Sequence, residues 1–568
     1  MRRRLPVYAL VCLLSTETLP SALLAKEPVR AAHGMVVAQE PIAADAGLAV
    51  LQAGGNAVDA AIAVGFALAV THPMAGNLGG GGFMLVRLAN GKTTFFDFRE
   101  AAPAKANREM YLGADDNPTK DSIFGWRSSG VPGSVAGFEA AYKKFASKPW
   151  KELVAPSVKL ARDGFPVSRT LAESLTGRQN PIAADPESTR IFLRDHNPYK
   201  AGETLKQTDL ADTLERIQKE GARGFYEGET AKRLEKDMAA HGGLITAEDL
   251  KNYKAIERVP LEGNYKDFHI ITAPPPSAGG IGLLQMMGML DGTHYDSDGA
   301  NSPKAVHYEA EAMRRFYADR SEYLGDPGFY NVPVKALLDP AYLEWRRKSI
   351  DPEHATPSEA IEPGLPKAQS AHISWTEGDD TTHYNVVDAK GNAVAVTYTL
   401  NNLYGNGITA PGLGFLLNDE MDDFAAKPGS PNMFGVLGGD ANAIEPGKRP
   451  LSSMTPTIIT KGGKLFMVVG APGGSRITTG VLQVILDVLD FHMNPQDAVD
   501  LPRFHHQWKP DVLSLQNGFP PQAAEVLARM GYQIRPIGGV ARVEAIVVKD
   551  GMLEGGTESR MSGKVAGY

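Results

Sequence analysis

Thr381-Thr382-His383-Tyr384-Asn385-Val386-Val387-Asp388, a turn at Ala389-Lys390-Gly391, and the return Asn392-Ala393-Val394-Ala395-Val396-Thr397-Tyr398-Thr399-Leu400-Asn401 form the stretch that decides how this chain reads. Both arms alternate with period 2 and are rich in β-branched residues. A three-residue connection ending in Gly is a favoured hairpin loop, because Gly accepts a positive φ without steric cost. Setting Asp388 opposite Asn392 places Thr381 opposite Thr399, with Cβ atoms about 5 Å apart. One face then carries Thr381, His383, Asn385, Thr397, Thr399 and Asn401, and the other Tyr384, Val386, Val394, Val396, Tyr398 and Leu400. The apolar face is predicted to pack. The hydroxyl and amide face is left for chemistry or for water, and taken alone it reads as an ordinary solvated face.

Other segments bear on that choice. Asn77-Leu78-Gly79-Gly80-Gly81-Gly82-Phe83 and Asp97-Phe98-Arg99-Glu100 lie upstream. Downstream come Asn418-Asp419-Glu420-Met421-Asp422-Asp423-Phe424, Arg449-Pro450-Leu451-Ser452-Ser453-Met454, Gly470-Ala471-Pro472-Gly473-Gly474-Ser475-Arg476 and Pro502-Arg503-Phe504-His505-His506-Gln507-Trp508. In order and spacing these segments, with Thr-Thr-His-Tyr, closely resemble the gamma-glutamyltransferase (gamma-glutamyltranspeptidase) family over nearly the whole mature chain.

The resemblance implies the four-layer αββα sandwich of the N-terminal nucleophile hydrolases. It also implies one precursor cut into a large subunit, residues 26–380, and a small subunit, residues 381–568. A threonine hydroxyl is a poor nucleophile unless a base takes its proton, and an α-amine of pKa about 8 on the same residue is such a base once liberated. In the family pattern Thr381 attacks the carbonyl of Asp380, an N-to-O acyl shift gives an ester, and water releases the new N-terminus. Thr382 is the competing nucleophile. Thr399 falls where the family has a threonine bonded to the nucleophile, in agreement with the hairpin register.

Gly473 and Gly474 are the expected oxyanion donors, since glycines let backbone N–H groups come close to developing charge. A gamma-glutamyl donor carries an α-carboxylate and an α-ammonium at one end. Its pocket therefore needs a cation and hydroxyls beside carboxylates and an amide. Arg99, Ser452 and Ser453 match the carboxylate side of the family's pocket, and Asn401, Glu420 and Asp423 match the ammonium side. Without the family, Arg99 would read as a surface ion pair and 419–423 as a solvated acidic loop. Glutathione or glutamine as donor and amino acids or peptides as acceptors follow from the resemblance. An acylase of the same fold acting on glutaryl-type amides is the enzymatic rival, and a non-catalytic amino-acid-binding protein is the rival of another class. Residues 427–450, rich in Pro and Gly, resemble the family's lid, with Phe434 where that lid often carries a Tyr.

The chain has 568 residues with no linker-like tract or internal repeat, which fits one large unit. Arg2, Arg3 and Arg4 precede an apolar run over 5–14 and small residues near Ala25, so residues 1–25 read as a secretory signal. Its cleavage site is fixed only to within a few residues, and a periplasmic or secreted protein is expected. The apolar run is shorter than the about 20 residues a membrane span needs, so no stable anchor is expected. The formal charge of −8 becomes about −10 once Arg2, Arg3, Arg4 and Glu17 leave, which disfavours nucleic acid as a partner. Cys12 is the single cysteine and lies in that segment, so the mature chain has no disulfide, thiol nucleophile or thiolate ligand.

No cofactor is called for. His505 and His506 are adjacent and point apart, without a third ligand at metal spacing. Residues 291–299 lack the central Gly and closing Glu of a calcium loop and read as a polar turn. Gly79 to Gly82 follow a helix and lead into a strand over 83–88, the reverse of a phosphate loop, and read as a tight turn. Two tandem helices are predicted over 41–70, broken at Gly54-Gly55 with Asn56 capping the second. Residues 104–363 read as mostly helical, most clearly over 210–219, capped by Asp209, over 230–239, and over 303–323, capped by Ser302. Strands are predicted over 384–388, 393–400, 457–460 and 465–469, and helix again near 480–490.

Overall fold

The computed structural model describes residues 27–177, 180–365 and 381–568. The signal-like segment and the Asp380 side of the expected cut lie outside them. Thr382–Val387 and Ala393–Thr399 pair antiparallel with Thr382 facing Tyr398 and His383 facing Thr397, the register predicted from the turn. Gly391 closes that turn at φ +82°, and Asp388 N donates to Asn392 O at 3.1 Å.

The hairpin is central to a seven-stranded antiparallel sheet ordered Lys564–Gly567, Met35–Ala38, Thr382–Val387, Ala393–Thr399, Gly81–Arg87, Thr93–Phe98, Ile256–Arg258. Its apolar face packs on the helices Pro41–Gln52, Ala57–Thr71 and Ser134–Phe145. Its other face meets a second seven-stranded sheet, ordered Val29–Ala31, Met552–Thr557, Glu544–Lys549, Lys464–Gly470, Thr457–Lys461, Phe268–Thr272, Leu261–Tyr265. The helices Gly279–Leu290 and Ile477–Leu489 cover the far side of that sheet, and Pro303–Tyr323 packs on Gly279–Leu290. Each sheet hides one face against helices and one against the other sheet, which makes the four-layer αββα sandwich. The polar hairpin face is therefore not solvated: His383, Asn385 and Thr397 are fully buried.

The tandem helices form as predicted, and Asn56 and Asp59 cap the second reciprocally. Ser302 caps Pro303–Tyr323 with Pro303 at the first helical position. Other expectations need correction. Leu261–Tyr265 and Phe268–Thr272 are strands of the second sheet inside the stretch read as mostly helical. They form one edge of that sheet, with Glu262, Asn264 and His269 turned outward, and Gly263 leaves the inward row of Leu261–Tyr265 short of apolar side chains. Thr208–Glu220 starts after Gln207, and Asp209 sits in its first turn paired with Arg190 instead of capping it.

The four glycines are only half turn, since Gly81 and Gly82 open the strand Gly81–Arg87. None of them needs a positive φ. What they supply is close approach: a Cβ on Gly80 would come within 2.0 Å of Thr399 O. Residues 291–299 form the expected turn around a short 3₁₀ segment, Tyr295–Asp298, whose buried Tyr295 donates to Asp490 at 2.6 Å.

Candidate active site

The open end of the hairpin holds the two facing threonines. Thr381 Oγ1 and Thr399 Oγ1 are 3.1 Å apart. Thr399 Oγ1 also accepts from Asn401 N at 2.9 Å, which pins Asn401 at φ +80°, a left-handed backbone uncommon outside glycine. Asn401 Nδ2 donates to Asp419 O at 3.1 Å. Thr382 lies on the opposite face, its hydroxyl 3.4 Å from Gln39 Oε1. Alternation along the strand thus separates the two candidate nucleophiles.

Arg99 reaches the same place from the end of Thr93–Phe98. Asp97 accepts from Arg99 N at 3.0 Å while pairing with Arg258 and Arg449, so the backbone that aims Arg99 is itself braced by charge. The Arg99 guanidinium bonds Glu420 and Asp423, lies 3.6 Å from Glu100, and touches Pro450 O at 3.3 Å. Burial alone would lower its pKa, but Glu420, Asp423 and Glu100 outweigh that and hold it above the ordinary arginine value. Burial pushes Glu420 well above the usual carboxylate range against the pull of Arg99, and Glu100 and Asp423 move in the same direction. Glu100 has no hydrogen-bonded oxygen, and Glu420 leaves Oε2 without a partner. Three carboxyl groups crowd around Arg99, and the charge of Arg320 also reaches Asp423.

Ser452 is held against the second sheet's loop by Ser452 N donating to Pro276 O at 2.9 Å. Gly474 lies at φ +54°, opening the short 3₁₀ turn Gly474–Arg476. Gly473, at φ +137°, packs so closely on Ala541 that a Cβ would meet its Cα at 2.7 Å. Tyr317 OH donates to Ser475 O and fixes this turn.

The segment 427–450 folds across the opening. Met433 N donates to Asp422 Oδ2 at 2.8 Å, Asn432 Nδ2 to Asp423 Oδ1 at 2.9 Å, and Gln507 Nε2 to Phe434 O at 3.1 Å. Gln507 Oε1 in turn accepts from Ser475 Oγ at 3.0 Å, so one amide ties this cover to the glycine turn. Phe434 lacks a hydroxyl, and the cover is held here through main-chain atoms.

A small cleft results. Thr381, Thr399, Asn401, Arg99, Glu420, Asp423, Ser452, Ser453 and Gly474 all line it, and of the expected site residues only Gly473 does not. Sequence reading missed Arg320, Asn432 and Ser475, which also line it. His505 bonds Thr479 and Gln507 whereas His506 bonds Asp511, in accord with their pointing apart. No helix among the described residues is long and apolar enough to cross a membrane.

The gamma-glutamyltranspeptidase family model matches residues 43–568. The glutathione hydrolase proenzyme of Escherichia coli (strain K12) is 48% identical over 545 residues, spanning 95% of this chain and 93% of that protein. Among solved structures, the cephalosporin acylase of Bacillus halodurans superposes with a TM-score of 0.84 at 28% identity, over 98% of this chain and 99% of that one. The gamma-glutamyltranspeptidase of Helicobacter pylori superposes with a TM-score of 0.57 at 43% identity, over 58% of this chain and 96% of that one. With a family model spanning nearly the whole described chain and a relative of this identity and coverage, the chain belongs to the gamma-glutamyltranspeptidase family.

Proposed function

We propose that this chain is an exported, self-processing enzyme that cleaves the gamma-glutamyl amide bond of glutathione and related donors and passes the acyl group to water, an amino acid or a peptide. The observation that carries the reading is the 3.1 Å approach of Thr381 and Thr399 inside the cleft that holds Arg99, Glu420 and Asp423. In maturation Thr381 Oγ attacks the Asp380 carbonyl, the peptide C–N bond breaks as the ester forms, and water hydrolyses the ester. This leaves Asp380 as a carboxylate and Thr381 with a free α-amine. The amine then takes the Thr381 hydroxyl proton, Oγ attacks the donor amide, and the proton leaves with the departing amine. Gly473 and Gly474 N–H groups would hold the oxyanion. Water or an acceptor amine next attacks the acyl-enzyme and frees Thr381.

Binding follows as ion-pair exchange. A donor's α-carboxylate takes Arg99 with Ser452 and Ser453, and its α-ammonium takes Glu420, Asp423 and Asn401. Each charge displaced inside the cleft finds a new partner, so recognition of a zwitterion need not leave a buried charge alone. The relative from Escherichia coli is named a proenzyme, and the Helicobacter chain matches 96% of itself on 58% of this one. Both support division into the subunits 26–380 and 381–568.

The acylase reading has its own support in the superposition on the Bacillus halodurans enzyme. A glutaryl amide carries no ammonium, however, and would leave Glu420 and Asp423 without a substrate cation. Intact mass and N-terminal sequencing of the purified protein test the first step, and two fragments with one beginning at Thr381 are expected. Gamma-glutamyl and glutaryl anilides then test the second. Turnover of the glutaryl compound alone would reassign the substrate class, and a single uncut inactive chain would sink the mechanism.

A further inference from the structure

The cleft holds a second guanidinium that the mechanism above leaves idle. Arg320 lies in the last turn of Pro303–Tyr323, three residues past the Tyr317 that fixes the glycine turn. It lines the cleft with Thr381, Asp423 and Phe434 and is only 6% exposed. Its Nε has no hydrogen-bond partner, and its one polar contact is a long 3.5 Å approach of Nη1 to Leu437 O in the covering segment. It forms no ion pair among the described residues. The buried arginines Arg99, Arg315, Arg346, Arg449 and Arg503 each have a carboxylate partner.

Two plain explanations fall short. A cation in the last turn of a helix is favoured by the helix dipole, which accounts for a positive residue there but not for a guanidinium turned into a cleft. Asp423 is the carboxylate whose charge reaches Arg320, but it is already bonded to Arg99 and Asn432. A buried guanidinium with most of its donors unused is an unfavourable arrangement unless a ligand completes it. The planar fork of Arg matches a carboxylate better than any other small anionic group a peptide-like substrate carries.

We propose that Arg320 anchors a second carboxylate, the one borne by the amine half of the donor or by an amino acid that accepts the acyl group in its place. This rests on the reading of Thr381 as the acylated nucleophile. Arg99 then grips the end of the donor that stays, and Arg320 grips the carboxylate of the part that leaves or arrives. Donors and acceptors with a free C-terminal carboxylate are selected over their amides.

The test compares glutathione with glutathione carrying a C-terminal amide. In the wild-type enzyme the amide is expected to raise KM about 10- to 100-fold, the factor associated with a charged hydrogen bond, with little change in kcat. Arg320→Gln should collapse the acid-to-amide ratio to near one, and Arg320→Lys should restore part of it. A residue that merely supports the fold would lower both donors together and leave the ratio where it was. Equal KM values for acid and amide in the wild-type enzyme overturn the proposal without any variant having to fold. A wild-type enzyme that cleaves neither donor removes the underlying function as well, and the two failures are thereby distinguished.

Discussion

The two faces of the hairpin Thr382–Val387/Ala393–Thr399 are equally buried and chemically opposite. Toward the helices, Tyr384 and Tyr398 sit among Val386, Val394 and Val396, and each hydroxyl ends on one carbonyl of Ala57–Thr71, at 2.9 Å on Ala61 O and 2.8 Å on Gly65 O. Toward the second sheet the polar groups form a ladder. Asn385 Nδ2 donates to Glu544 O at 2.8 Å, His383 Nε2 lies 2.9 Å from Asn385 Oδ1, and His383 Nδ1 lies 2.8 Å from Thr397 Oγ1. The Thr381–Thr399 pair lies beyond its end. What separates a packing face from a reacting face is therefore the connectivity of the polar groups, since burial is the same on both. Isolated caps satisfy single atoms, whereas the ladder fixes the rotamers of Asn385, His383 and Thr397 together.

The sharpest way to break this contrast is Thr381→Ala. It should leave the chain uncut by mass spectrometry and lower turnover by more than about 10⁴-fold, as loss of a nucleophile does, while Tyr398→Phe on the other face changes turnover by less than about twofold. A cleaved, active Thr381→Ala enzyme would show that the ladder face is not the reacting one. Next in size is Thr399→Val, which keeps the shape and removes the hydroxyl beside Thr381. Loss of about 10²-fold in kcat is expected, with subunit cleavage slowed in parallel. An unchanged kcat would reduce the pair to a packing contact.

Much of this was legible in the sequence because the decisive signals are local. The three-residue turn fixed the register, and the register put Thr381 against Thr399. Asn56 and Ser302 announced their helices through capping chemistry. What stayed hidden depends on distant partners. Phe268–Thr272 gains its strand character from docking on Thr457–Lys461, and Leu261–Tyr265 pairs in turn with Phe268–Thr272 at the sheet edge. Arg320 looks no different in sequence from Arg314 and Arg315 on the same helix, and only the fold points it into the cleft. The polar hairpin face read as solvated or reactive, and only the second sheet removes the solvated reading by burying His383, Asn385 and Thr397.

The ladder also makes a prediction about acid. Burial lowers the pKa of His383 to about 3, and the neighbouring elements do the same for His72, to about 3, and for His506, to about 4. The native state thus keeps these rings neutral while the unfolded chain protonates them near pH 6.5. As the pH falls from about 6.5 toward 3 these three rings bind more protons in the unfolded chain than in the native one, so their contribution to stability falls through that window and is flat above it. His383→Gln should be less stable than wild type at pH 7, where the ladder is lost without compensation. Its deficit should narrow at pH 4.5, where the variant escapes the protonation penalty. Denaturant midpoints at the two pH values measure the difference, and a deficit that is the same at both would mean that His383 is charged in the native protein.

The smallest effect belongs to the face without a ladder. Tyr384→Phe and Tyr398→Phe each remove one hydroxyl from a carbonyl that already has its helical partner, so about 0.5–1.5 kcal/mol of stability is expected for each. The two hydroxyls end on carbonyls one helical turn apart and do not bond each other, and the edge-to-face packing of the two rings at 6.2 Å is kept in both Phe variants. Their effects should therefore add in the double variant to within about 0.5 kcal/mol. On the ladder face the same experiment with His383→Gln and Thr397→Val should fail to add, because removing either group already strands the other. Additivity on both faces would mean that the hydrogen bonds between His383 and its neighbours are separate contacts, and the distinction between cap and ladder would then describe geometry without energetic consequence.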